Sequence, residues 1–111
     1  EKNMAQDFRN VLVRTIGTSD TTLLAGGNYD AVIGIRCCNI LTSTIKIDVK
    51  IAKGGADYFL AKGVVVPPNS AIELIQGGAK IVLQSGDTLE AVSDTASSLD
   101  VVLSYIDAIS S

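Results

Sequence analysis

Along residues 44–52 apolar and polar side chains alternate without a break. Ile45, Ile47, Val49 and Ile51 interleave with Lys46, Asp48 and Lys50. A period of two is the pattern of a strand with one buried face and one wet face. Residues 30–39 repeat it, with Ala31, Ile33, Ile35 and Cys37 on one side and Val32, Gly34, Arg36 and Cys38 on the other. That segment is apolar on both sides, which predicts a central place in a sheet or an outer face covered by a neighbour. Residues 99–107 close the pattern, with Leu99, Val101, Leu103 and Tyr105 sharing a face. Shorter strands are predicted over 9–16, 21–25, 57–62, 71–75, 80–84 and 88–93, the last with Leu89 and Ala91 inward. Val64, Val65 and Val66 continue the third of these or begin another. The loop 40–43 is expected to join its flanking strands as a hairpin, and Pro67-Pro68 must break pairing because neither residue has a backbone donor.

Gly, Ser, Thr and Asn punctuate the chain every 8–12 residues or so, the rhythm of a sandwich or barrel. Eight or nine strands and no convincing helix predict an all-β fold, an antiparallel β-sandwich that is jelly-roll-like or immunoglobulin-like. The Cys…Trp…Cys pattern of true immunoglobulin domains is missing, and Trp is absent altogether. Met4 reads as a natural first residue, so residues 1–3 are expected to be a remnant of expression. Residues 1–7 then form a flexible N-terminus ahead of one sandwich domain over 8–109.

Twelve Ile, ten Leu and eleven Val stand against five aromatics, so aliphatic packing must carry the core. With 111 residues the chain can bury that core without disulfides or metals. The net charge is −3 and the isoelectric point about 4.7. The nine basic residues are scattered, which argues against nucleic-acid or anionic-membrane partners, since both need clustered Lys and Arg. No segment approaches the ~18 apolar residues of a membrane span, and no secretion signal opens the chain.

Candidate chemistry is sparse. The chain has no His, which removes the commonest general base and zinc ligand and the Ser/Cys-His triads. The adjacent Cys37 and Cys38 should point to opposite faces and stay reduced, at least one of them in the core. The carboxylates Asp48, Glu73 and Glu90 read as surface groups of strands. Asp20, Asp87 and Asp94 read as turn and loop formers rather than calcium ligands. The doublets Gly26-Gly27, Gly54-Gly55 and Gly77-Gly78 fit no phosphate-binding motif and read as turns. No catalytic residue, cofactor site or metal site is expected.

A series of segments comes in order from about Asn10 to Ile109. Gly17-Thr18-Ser19-Asp20-Thr21-Thr22 leads to Leu23-Leu24. Ala31-Val32-Ile33-Gly34-Ile35-Arg36 closes on Asn39. The alternating strand is followed by Tyr58-Phe59-Leu60-Ala61-Lys62 and by Val66-Pro67-Pro68-Asn69-Ser70-Ala71. Then come Lys80-Ile81-Val82-Leu83-Gln84-Ser85-Gly86-Asp87-Thr88-Leu89-Glu90-Ala91 and Leu99-Asp100-Val101-Val102-Leu103-Ser104-Tyr105-Ile106. In this ordered set the chain resembles small virion structural proteins of tailed phages, particularly the contractile-tailed phages of marine bacteria. The resemblance implies a non-enzymatic subunit of a phage particle (capsid decoration, neck or tail, fibre or baseplate), made in the host cytoplasm and located in the virion. It brings no catalytic residues, and Cys37-Cys38 departs from its pattern.

Such a subunit acts through repeated contacts with copies of itself and with other virion proteins, and a homo-oligomer is expected, a trimer or larger ring. The candidate interface residues are apolar side chains that a regular sandwich has no room for: Leu23, Leu24, Val64, Val65, Val66, Val102 and Ile106. The rival expectation is a receptor- or glycan-binding module, which would need exposed aromatics from among Phe8, Tyr29, Tyr58, Phe59 and Tyr105 beside Asp or Asn. An enzyme would need a deep cleft with two convergent carboxylates.

Overall fold

The computed structural model describes residues 7–27, 29–75 and 79–107. They form nine strands and, among the described residues, no helix: β1 Asp7–Ile16, β2 Thr21–Ala25, β3 Asp30–Asn39, β4 Ile45–Lys53, β5 Ala56–Val66, β6 Ala71–Glu73, β7 Ile81–Leu83, β8 Thr88–Ser93 and β9 Leu99–Asp107. The flexible N-terminus expected over 1–7 lies, but for Asp7, outside the described residues, as does the Gly77-Gly78 turn. The two segments around Gly63 are one strand, β5, and the strands expected over 71–75 and 80–84 shrink to three residues each.

Two antiparallel sheets pack face to face. One runs β1-β9-β3, with β6 and β7 sharing the far edge of β3. The other runs β2-β8-β4-β5. The pairs are nested. β1 pairs β9, β2 pairs β8, β3 pairs β6 and β7, and β4 pairs β5. The chain is therefore a long antiparallel ribbon, folded back at the β4–β5 hairpin and rolled so that successive pairs fall in alternate sheets. At the hairpin Lys53 lies opposite Ala56, and both Gly54 and Gly55 have positive φ (62° and 84°). That is the two-residue turn whose twist matches its strands, and it demands residues tolerant of positive φ.

The core lies between the sheets and is aliphatic. Ile35, Ile45, Ile47, Val49, Val66, Leu83, Leu89, Leu99, Val101 and Leu103 are fully buried. The alternation read in β4 and β9 holds. In β3 it does not, because the register shifts between Val32 and Gly34. The extra residue turns the strand over, so Val32 joins Ile35 and Cys37 in the core.

The loop 40–43 is not a hairpin, because β3 and β4 belong to different sheets and the loop carries the chain across the sandwich. Asn39 is the reason it can do so. Its side chain is fully buried, Nδ2 donates to the carbonyls of Ser43 (2.8 Å), Val66 (3.0 Å) and Pro67 (3.1 Å), and Oδ1 accepts from the Leu41 amide (2.9 Å). One amide thus ties the end of β3 to its own loop and to the end of β5.

Candidate functional site

Any chemistry would have to use the polar groups. On the outer face of β4, Lys50 is 7% exposed and its Nζ bridges Asp20 (2.9 Å) and Asp57 (3.1 Å). The hydrogen bond to Asp20, helped by Asp57, raises its pKa above the ordinary lysine value although burial opposes this. Asp48 accepts from the Gly63 amide (2.7 Å) and lies 3.6 Å from Lys62 Nζ. Gly63 has φ 62° and sits where β5 gains a residue on β4, so this bond fixes a bulge.

Asp87 and Asp94 hold turns, as their loop positions predict. Asp87 Oδ2 accepts from the Gln84 amide (2.9 Å). Its buried Oδ1 receives no aligned hydrogen bond but stands 3.1 Å from Lys53 Nζ, an ion-pair distance. The Gln84 amide is the main cause of its lowered pKa. Asp94 is lowered chiefly by the Lys46 amide, which donates to Oδ1 at 3.1 Å. Ser98 Oγ donates to the Thr95 carbonyl (2.7 Å), so in the buried Ser93–Ser98 pair (2.6 Å) the donor is Ser93. The loop 94–98 is thus bonded to itself and to β4.

A shallow depression of about 270 Å3 is lined by Lys46, Asp48, Val92, Ser93 and Asp94. Both of its carboxylates belong to the turn and bulge bonds just described. Among the described residues no group of three or more His, Cys, Asp or Glu is placed to hold a metal ion. Cys37 is buried and unbonded, and burial pushes its thiol up to about 12, so it packs as a small apolar residue. Cys38 is also free, half-exposed on the opposite face.

The apolar surface is the larger feature. Of the seven residues chosen from sequence, Val65 and Val102 are exposed, and Ile106, Leu24 and Val64 are half-buried. Leu23 and Val66 are core residues, not surface ones. In β2 the register shifts between Thr22 and Leu24, so Leu23 is buried while Leu24 also packs against the core. The premise of a regular strand fails there.

Val102 and Ile106 belong to a band on the outer face of the first sheet. Leu12 lies opposite Val102 and Phe8 opposite Ile106, and these two β1 side chains are 68% and 72% exposed. Beyond the buried Ala31, the exposed Val82 continues the Ile106 row. A second band follows β5, where Tyr58, Phe59, Leu60 and Val65 are all exposed. The signal for Phe8 and Leu12 was their shared parity on β1. It was masked by Val11 and Val13 on the other parity, which face the core.

Tyr58 and Phe59 do not form a joint stacking platform. Tyr58 lies opposite Ile51 and Phe59 opposite Lys50, so they have opposite parity on β5. The Phe59 ring already carries Lys62 Nζ, 4.7 Å from its centroid.

No protein-family model matches this chain, and no curated protein matches it. Two crystal structures of a pentameric capsid protein isolated from metagenomic phage sequences are similar to it at 20% identity and a TM-score of 0.48. The alignments cover 87% of this chain, which spans about 60% of the length of those structures.

Proposed function

We propose that this protein is a non-enzymatic structural subunit of a tailed-phage particle, working through contact with copies of itself and with other virion proteins. The observation that carries the reading is the division of labour among its side chains. The carboxylates described above are bound to backbone amides or lysines, which hold turns and bulges. Large apolar groups meanwhile lie exposed in two bands, one on each sheet. A rigid sandwich with apolar bands on opposite sheets is suited to being joined at more than one face. The ordered sequence resemblance to small virion proteins supplies the phage context. The nested strand pairing favours the jelly-roll form of the sandwich, an architecture in which viral capsid domains are built. Capsid decoration, neck or tail, and fibre or baseplate are all positions such a subunit would fill, and a trimer or larger ring is the assembly we favour.

The glycan-binding reading is weaker, because Tyr58 and Phe59 have opposite parity on β5 and the Phe59 ring carries a lysine. Size-exclusion chromatography with light scattering tests the structural reading. Concentration-dependent association is expected. A monomer at every concentration, from a gene with no capsid, neck, tail or baseplate genes beside it, would overturn it.

A further inference from the structure

The four sheet edges are not equally protected. An edge strand offers unpaired N–H and C=O groups to any extended partner, and folded proteins blunt such edges with bulges, lysines or shortness. β2 has five residues and a register shift, and β6 and β7 have three each. β5 is long, but its register shifts twice against β4 and it carries Lys62. β1 has none of these devices along its first seven residues. From Asp7 to Val13 it pairs with β9 residue for residue, without shift, proline or lysine.

We propose that this edge of β1 pairs antiparallel with β1 of a second copy, across a two-fold axis at Asn10. The inference rests on the self-association reading and names one of its contacts. The regular stretch runs from 7 to 13, so Asn10 is its midpoint, and a two-fold there uses the whole stretch. In that register Phe8 faces Leu12 of the partner subunit and Leu12 faces Phe8 of the partner subunit. The two most exposed large apolar side chains among the described residues cover each other, as a cross-strand pair made twice. Val102 and Ile106, beside them on β9, extend the apolar band on both sides of the axis. Arg9, ion-paired to Asp107 on its own neighbour at 3.1 Å, faces Val11 of the partner subunit, so no like charges oppose. The first sheets of the two copies become one continuous sheet. The contact is isologous and stops at a pair, which leaves the β5 band as the second contact a ring or lattice requires.

Cysteine cross-linking in a C38S background tests the register. Directly opposed residues of an antiparallel pair have Cα atoms about 4.5–5.5 Å apart, within disulfide range. Under mild oxidation N10C should cross-link to a dimer of twice the 11.6 kDa chain. L12C should not, because its own counterpart lies about 13 Å along the strand. F8K/L12K should abolish the dimer by light scattering with an unchanged circular dichroism spectrum. F8K/L12E should restore it, because the new lysine then faces the new glutamate of the partner. Association with no N10C cross-link, or no rescue by F8K/L12E, overturns the β1 pairing while leaving self-association standing. A monomer at every concentration overturns both.

Discussion

Replacing Asn39 with Ala would remove the amide that binds the 40–43 crossover to the ends of β3 and β5. The cost can be worked from its partners. Ser43 and Pro67 are exposed, so water can serve their carbonyls after the change. Val66 is fully buried, and the Leu41 amide is partly so. A buried group stranded without a partner costs about 1–3 kcal/mol. Two such groups therefore give a loss of roughly 3–4 kcal/mol. For a chain of this size that is a fall of roughly 10–15 °C in Tm. Urea unfolding followed by circular dichroism measures it, with an unchanged m-value showing that the native fold is kept. Asn39→Asp sharpens the test, because it keeps the acceptor but turns a carboxylate toward three carbonyl oxygens. At neutral pH it should be worse than Ala, and it should recover in part on acidification. A loss under about 1 kcal/mol for Asn39→Ala would mean that the crossover is held by packing and that the amide is dispensable.

Gly26→Ala should destabilise by roughly 1–3 kcal/mol in the same assay, since its Cβ would lie 2.3 Å from the Gln84 carbonyl oxygen and neither backbone can yield. Gly27→Ala, with open space around it, is the control and should be near neutral. Asp87 and Asp94 have folded pKa values below their unfolded ones, so their stabilisation is complete above the unfolded value and is lost as pH falls through the folded one. Stability should be flat near neutrality and drop below about pH 4, with a shallower drop in Asp87→Asn and Asp94→Asn. In native protein a thiol reagent at pH 8 should modify Cys38 and spare Cys37 until the chain unfolds, as mass spectrometry of the labelled peptides would show.

Strand positions were legible because period-two alternation is local, and β3, β4, β8 and β9 were read with little error. Their partners were not legible, since alternation says which face is buried but not which strand lies alongside. The supposed 40–43 hairpin failed for that reason. The inward positions of Val32 and Leu23 were missed because each lies at a register shift, where one residue reverses every side chain beyond it. Among the surface candidates, Val65 and Val102 followed from parity. Phe8 and Leu12 did not, because β1 is apolar on both parities. The role of Asn39 leaves no periodic trace at all. A polar residue at a strand end looks solvated until the structure shows three carbonyls around it.

The nested ribbon has a consequence for the order of events during synthesis. β4 and β5 meet across two glycines and can pair as soon as both have left the ribosome. β1 has to wait for β9, because its neighbour begins at Leu99. Closing so long a loop is slow and comes late. The proposed docking edge on β1 is therefore not held in a sheet until β9 has been made, and a chain not yet extended past Leu99 has no paired β1 with which to capture a finished one.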